Sequence, residues 1–372
     1  MKTRARIPIA KPLISDDEKR RVLEVLDSGH LVAGSQVRAF EQAFASYLRV
    51  PFAAATSSGT TALQVALEAL GIGRGDTVIT TPFTFVASSN AILYTGARPV
   101  FVDVDARTAN LDPNQVEDAV RRERAKAILC VHLYGLPCDL PALVDIAARH
   151  QLLLVEDCAQ AHGAAVRGRK AGTFGDAATF SFYPTKNMTT GEGGMVVTPQ
   201  EAVARHAAVL VNVGQHGAAE YVYERIGYNY RMTEMAGAMG LGQLAHLDER
   251  NAARRRNAAR LTAGLQGLDW LVLPTEPAGY HHVYNQYTVQ VQSDRDAVAR
   301  HLAAAGVASR VYYPYLVPHS PAYRSLGFGG SYPVAEALTT QVLSLPVHPA
   351  LSEDDVDWVI ESVRAFPRGT RA

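Results

Sequence analysis

The chain is poor in the features that mark secreted, membrane-spanning or nucleic-acid-bound proteins. Only three cysteines, Cys130, Cys138 and Cys158, occur in 372 residues. Their number is odd and no CxxC pair is present, which excludes a disulfide framework, argues against a structural zinc site and suits a reducing cytoplasm. Neither sign of charge is in excess, since 36 Lys plus Arg balance 36 Asp plus Glu. No bulk field therefore draws the chain to nucleic acid or to an anionic membrane. No uninterrupted apolar run reaches the roughly 18 residues of a spanning helix. The basic opening MKTRARIPIAKP leads through Leu13 and Ile14 straight into Ser15, Asp16, Asp17 and Glu18, so the apolar centre of a secretion signal is missing as well. Internal repeats and low-complexity segments are absent too. Any anion this chain binds has to be held by a local site.

What the sequence does have is an alternation of two periods. Apolar, β-branched runs at 77–81, 99–104, 127–132 and 152–155 are separated by helical patterns near 86–94, 113–123 and 140–149. Four such units predict an α/β fold with a mostly parallel sheet sandwiched by helices. In that architecture ligands gather at the carboxyl ends of the strands. From about residue 233 the pattern turns to long helices rich in Ala and Arg. Beyond 273 it becomes mixed, with a short strand at 286–291, a proline-punctuated loop at 312–321 and a closing helix at 352–365. A chain of this length exceeds one ordinary core. We expect a large α/β domain over 1–248 and a smaller α+β domain over 249–372.

Three stretches carry chemistry. In TSSGTTALQVALEALGIG (56–73), Leu63, Ala66, Leu67 and Leu70 have helical spacing, and Ser58, Gly59 and Thr60 stand at the helix start. Such a start is an ordinary N-cap, or an anion site in which free N–H groups and the helix dipole meet a phosphate. In LLLVEDCAQAHG (152–163), an apolar strand ends in Glu156 and Asp157 at the mouth of the sheet. A buried carboxylate there needs a partner, whether a helix N-terminus, an arginine or a bound cation. In TFSFYPTKNMTTGEGGMVV (179–197), an alternating run with Phe180 and Phe182 reads as a half-buried strand. Lys186 follows it, and then come Gly191, Gly193 and Gly194, clustered as for a backbone that closes tightly on a bound group. Alone, Lys186 reads as a surface charge. Together the three stretches match one cofactor, pyridoxal 5'-phosphate: a cradle for its phosphate at Gly59 and Thr60, a carboxylate (Asp157) to keep its pyridine nitrogen protonated, and an amine (Lys186) for its aldehyde.

SSGTTAL, PFTFVASSNAI, VEDCAQAHG, SFYPTKNMTTGEGG, GYNYRMTEMAGAMGLGQL and SRVYYP, spread over about residues 7 to 365, resemble the DegT/DnrJ/EryC1/StrS family of sugar aminotransferases, which are pyridoxal-phosphate enzymes of fold type I. The resemblance implies a seven-stranded type of sheet in the large domain. It implies that Lys186 forms the Schiff base and shuttles the proton, that Asp157 pairs with the pyridinium, and that Gly59, Thr60 and Ser181 bind the phosphate. Phe85 and Gln160 would flank the ring. Asn229, in GYNYR, would reach the neighbouring subunit's phosphate, making the working unit a homodimer with shared sites. Tyr183 stands where the family commonly has histidine, and YYPYLVPHSPAY departs from its usual order, so Tyr183, Arg231, Tyr313 and His319 are substrate-site candidates only. The implied reaction passes an amino group, from L-glutamate, through pyridoxamine 5'-phosphate to a nucleotide-linked keto-sugar, with no metal, in the cytoplasm. Alternatives on the same scaffold are a cyclitol (scyllo-inosose) aminotransferase, a sugar dehydratase or an aminoshikimate-type synthase. Family dehydratases carry histidine in place of the lysine, so Lys186 argues against that branch.

Overall fold

The computed structural model, which describes residues 5–215 and 221–367, is built on a seven-stranded sheet. Its strands are β1 (Phe52–Thr56), β2 (Thr77–Thr80), β3 (Arg98–Phe101), β4 (Ala127–Val131) and β5 (Leu153–Asp157), followed, after a hairpin of β6 (Ala165–Val166) and β7 (Arg169–Lys170), by β8 (Ala177–Ser181) and β9 (Gly194–Thr198). The order is β1-β9-β8-β5-β4-β2-β3. All neighbours pair in parallel except β9, which runs antiparallel to both β8 and β1. The central strand β4, AILCV, is buried at every position, as a strand covered on both faces must be.

The covering layers follow from local signals. α1 (Asp16–Ser28) leads to α2 (Ser35–Leu48), which covers one face of the sheet, and α3 (Gly59–Ala69) covers the other; α4 (Ala87–Tyr94), α5 (Pro113–Arg122) and α6 (Leu140–His150) follow along the crossovers. α5 and α6 each begin at an aspartate, Asp112 and Asp139, whose side chain accepts a first-turn N–H, with proline placed in that first turn. The strand expected to be half-buried, β8, is buried throughout. Phe180 and Phe182 pack into the rings of Phe40 and Phe44 from α2, while α3 covers the small-residue side. Small and hydroxyl side chains at alternate positions made room for a helix rather than for water.

After α7 (Glu201–Val211), α8 (Glu234–Ala245) and the 19-residue α9 (Leu247–Leu265), the chain builds a second sheet from β10 (Leu271–Val272), β12 (Tyr287–Val291) and β13 (Val342–Leu345), while β11 (Tyr280–His281) returns to pair with β6. Helices α10 (Arg295–Ala304), α11 (Pro321–Ser325), α12 (Pro333–Gln341) and α13 (Glu353–Arg364) complete it. Tyr287, Val289 and Val291, on one face of β12, share a core with Leu302, Val359 and, from the start of the chain, Ile7. Ile7 forms a bridge with Val307, the Pro8 carbonyl meets His348 Nε2 at 3.1 Å, and the Leu13 carbonyl accepts from Gln243 Nε2 at 2.8 Å. Glu18, in the first turn of α1, closes a capping box with Ser15 and accepts from Gln243 and Arg250. Residues 7–18 are thereby strapped between α8, α9 and the C-terminal sheet.

No helix among the described residues is long and apolar enough to cross a membrane. The three cysteines are free and buried. The structure gathers donor atoms of Cys130, His132 and Cys138 within 4.8 Å of one another, a proximity that their linear spacing does not announce. Both nitrogens of His132 are already engaged, Nδ1 by the Cys138 N–H and Nε2 by Glu156, each at 3.1 Å.

Candidate active site

β5 ends in two carboxylates that leave the strand on opposite faces. Glu156 is fully buried and accepts from the N–H groups of Gly172, Phe174 and Gly175 at 2.7–2.8 Å, and it meets His132 Nε2. Burial alone would raise its carboxyl pKa; His132 and the backbone donors outweigh that and hold it below the ordinary range. Glu156 is thus saturated and structural. Asp157 faces the other way, 3% exposed. Its Oδ2 accepts from Ser88 Oγ at 2.8 Å and its Oδ1 from the Ala159 N–H at 3.1 Å. No ion pair reaches it among the described residues. Ser88 was not foreseen as a site member; the hydroxyl pair in PFTFVASSNAI was its only signal.

Across from Asp157, the chain leaves β8 through Phe182 and Tyr183 and turns, the Lys186 N–H donating to the Tyr183 carbonyl at 2.9 Å. The surrounding protein strips water from the Lys186 amine and lowers its pKa to about 8, with the Asp157 charge opposing that shift. Three asparagines hold the loop. Asn187 Nδ2 donates to Asn251 Oδ1 at 2.7 Å, and Asn285 Nδ2 donates to Asn187 Oδ1 at 2.9 Å and to the Thr185 carbonyl at 3.1 Å. Asn251 and Asn285 lie 64 and 98 residues from Asn187, so no local pattern points to them. An amine attacks an aldehyde only when neutral. In protein freed of cofactor, the rate of reaction with added pyridoxal 5'-phosphate, followed by visible absorbance, should rise with pH through a midpoint near 8 rather than the ordinary 10.5. A midpoint at the ordinary lysine value would contradict the desolvated position of Lys186.

The helix start adjoins the same strand end. Ser58 caps α3, its Oγ accepting from Thr61 N–H at 3.2 Å while Thr61 Oγ1 accepts from the Ser58 N–H at 3.0 Å. The cap therefore exists, yet the N–H groups of Gly59 and Thr60 have no acceptor among the described residues. A Cβ at Gly59 would come within 2.5 Å of Ser181 Cβ, and one at Gly194 within 2.3 Å of the Ser58 carbonyl. Only glycine lets the helix start close onto the ends of β8 and β9. Two open N–H groups and the Ser181 hydroxyl meet at the positive end of a helix, which suits a phosphate.

Gln160 is buried. Its Oε1 accepts from the Tyr134 N–H at 2.6 Å and its Nε2 donates to the Tyr313 hydroxyl at 3.2 Å. The Tyr313 ring lies 6.4 Å from that of Phe85. Burial, with the Asp157 charge adding to it, pushes the Tyr313 hydroxyl pKa up. The structure thus joins Phe85 and Gln160 through Tyr313, which lies close enough to Asp157 to feel its charge. Tyr183 presents an exposed ring next to the lysine turn. His319 is placed elsewhere, with Nε2 on the Gly330 carbonyl at 2.9 Å beside the Tyr332 ring. Arg231 donates to Asn212 Oδ1 at 3.0 Å and lines a separate cavity with Ser57, Thr190 and Glu192. Asn229 is exposed, between Tyr228 and Tyr230, which stack at 4.7 Å and bond Glu68 and Gln64 of α3. Near it in sequence, Tyr221, Val222, Tyr223 and Ile226 expose their apolar side chains, Ile226 to 94%.

A buried carboxylate without a cation, a helix start with two unanswered donors and a desolvated amine fit pyridoxal 5'-phosphate in its three functional groups. Known proteins resemble the chain over nearly its whole length. The model of the DegT/DnrJ/EryC1/StrS aminotransferase family matches residues 12–364. UDP-N-acetyl-3-dehydro-alpha-D-glucosamine 3-aminotransferase of Acidithiobacillus ferrooxidans is 43% identical over 352 residues, covering 93% of this chain and 92% of that protein. GDP-perosamine synthase of Caulobacter vibrioides is 41% identical over 365 residues, covering 96% and 97%. Among solved structures, S. venezuelae DesV in complex with a ketimine intermediate superimposes with a TM-score of 0.91 at 40% identity, covering 96% of this chain and 98% of that one.

Proposed function

The chain belongs to the DegT/DnrJ/EryC1/StrS aminotransferase family, and from that premise we propose that it transfers an amino group from L-glutamate to a keto-sugar carried on a nucleotide. The observation that carries this reading is the convergence of Lys186, Asp157 and the open start of α3 at the ends of β8 and β5. Relatives named for UDP- and GDP-linked sugars support a nucleotide sugar as acceptor.

When bound, pyridoxal 5'-phosphate supplies an aldehyde that takes up amino groups and a ring that accommodates the electron pair left by a departing proton. Gly59 and Thr60 N–H and the Ser181 hydroxyl would hold its phosphate, and Asp157, itself oriented by Ser88, would keep a proton on its ring nitrogen. Phe85 and Gln160 would flank the ring, with Gln160 fixed by Tyr134. Lys186 Nζ, lowered to about 8 and so partly neutral at physiological pH, would accept the proton from the donor's α-carbon and later deliver one to the sugar carbon that bore the ketone. Asn229, exposed and without a side-chain hydrogen bond among the described residues, would complete the phosphate site of a second copy, and the apolar Tyr221, Tyr223 and Ile226 beside it would be covered in that homodimer.

The test is a half-reaction panel. Enzyme charged with amine by L-glutamate is mixed separately with UDP-, dTDP- and GDP-linked hexoses bearing a ketone at C3 or C4, and with scyllo-inosose. The aldehyde form of the cofactor is expected to return with at least one nucleotide sugar. Return with inosose alone would move the enzyme to cyclitols, and no return with any acceptor would overturn the reading.

A further inference from the structure

The segment that carries Lys186, between Phe182 and Gly193, is neither helix nor strand, so its shape rests on side chains from elsewhere. The asparagines grip it at Asn187, and a second grip follows at Thr189, whose buried N–H donates to Gln243 Oε1 at 3.2 Å. Thr189 passes that hold along the loop. Its hydroxyl donates to the Phe182 carbonyl at 2.8 Å and accepts from the Gly191 N–H at 3.0 Å. Gln243, in α8, is 1% exposed, and its Nε2 donates to the Leu13 carbonyl and to Glu18 Oε2, each at 2.8 Å. Glu18 Oε1 in turn accepts from Arg250 at 3.0 Å. The amide can therefore sit only one way round. Turned over, it would set its NH2 group against the Thr189 N–H and its oxygen against a carbonyl and a carboxylate. A buried network answered at every atom specifies a single arrangement.

We infer that Gln243 is a positioning residue for Lys186: by fastening Thr189 to the strapped N-terminal segment it keeps the lysine loop seated, with the amine shielded from water. The inference rests on the reading of Lys186 as the amine that takes up cofactor and proton. Gln243 acts through Thr189, not on a substrate. The strap belongs to the same device, because Ile7 and Pro8 tie it to the C-terminal sheet and Leu13 ends it on Gln243. A loop freed at Thr189 would admit water to the amine. Desolvation is what lowers the Lys186 pKa, so hydration raises it toward the ordinary lysine value. The charged groups around the amine are Asp157, opposing that lowering, and Lys11, Arg250 and Arg254, lining the cleft behind the loop. His162, its pKa lowered to about 3 by burial first and then by the Lys186 charge, is neutral. Substitution of Gln243 alters none of these charges.

The test separates positioning from mere stability. In the holoenzyme, Q243M, close in length to glutamine but without its amide, should lower kcat by about 3- to 10-fold, the scale of one lost neutral hydrogen bond. The KM for the keto-sugar should move less than about twofold, since no substrate contact is touched. In protein freed of cofactor, the midpoint for attachment of added pyridoxal 5'-phosphate should rise from about 8 by at least about half a pH unit. Q243N keeps an amide one methylene short and covers the case in which Q243M fails to fold; the same two readings decide there. Val359→Ala is the control. It opens a cavity in the C-terminal core, so it should lower the melting temperature and leave the midpoint in place. A midpoint unmoved in every Gln243 variant that folds, a kcat within about twofold of wild type, or an equal rise in Val359→Ala would overturn the positioning role. Wild-type cofactor fixed by borohydride to a lysine other than Lys186 would instead fail the reading of that lysine, a result no Gln243 variant can imitate.

Discussion

Lys186→Ala should yield a protein that folds but neither attaches pyridoxal 5'-phosphate covalently nor transaminates. Borohydride reduction of wild-type holoenzyme, followed by peptide mass analysis, should place the cofactor on the peptide containing Lys186. The variant should carry none, and its turnover should fall by at least about 10⁴-fold, the upper range for a lost acid-base group. Other lysines offer little rescue. Lys126 is paired with Asp76, and Lys170 is spent on the Tyr47 carbonyl and ring. Lys11 lies beside the Lys186 loop, so an adduct on Lys11 with activity kept is the result that would sink the assignment. The same variant tests the shared site. Mixed with Asn229→Ala chains, it should restore activity, because one site of the mixed dimer then has both Lys186 and an Asn229 supplied by the other chain. No gain above the Asn229→Ala enzyme alone would remove Asn229 from the partner's site.

The local signals at 77–157 were legible because the strands are mostly apolar runs and α5 and α6 between them are amphipathic. Strands β2 to β5 and helices α4 to α6 lie within a few residues of where the periods place them. The exposure of β8 was misread because Thr179 and Ser181 look like a solvent face, whereas α3 packs on that side. At 156–157 the sequence shows two carboxylates of equal promise. Only the alternation of the strand, with three backbone N–H donors waiting behind the sheet for Glu156, separates the structural one from the one that faces Lys186.

Contacts between distant elements left no trace in any window. Asn251, Asn285 and Ser88 each act on a residue tens of positions away. Arg254 lies in an arginine run that composition marks as a solvated helix face, and helical geometry turns that one side chain inward while its neighbour Arg256 stays outside. Tyr313 and His319, drawn from one atypical loop, part company for the same reason: the short turn at 317–319 carries His319 away to Gly330 while Tyr313 is drawn to Gln160.

Asp157→Asn should separate cofactor capture from turnover. The substitution keeps size and keeps an oxygen for the Ser88 hydroxyl, so the pocket should hold its shape. What changes is the group offered to the ring nitrogen: an amide N–H repels a protonated nitrogen where a carboxylate holds it. Losing one partner of such a buried charge pair costs about 3–5 kcal/mol, which corresponds to a fall in turnover of about 10²- to 10⁴-fold. Lys186 is untouched, so borohydride should still fix the cofactor to its peptide. A second readout follows from the sign of the interaction between the two residues. The Asp157 charge favours the ammonium form of Lys186 and so raises its pKa against the effect of burial. Without that charge the amine is easier to deprotonate, and the pH midpoint for cofactor attachment should move below about 8. Ser88→Ala, which loosens the carboxylate but leaves its charge, should lower turnover by only about tenfold, at the low end for a hydrogen bond to a charged group, and leave that midpoint in place. Near-normal turnover in Asp157→Asn, or a midpoint that moves upward, would mean that Asp157 does not face both the ring nitrogen and the lysine.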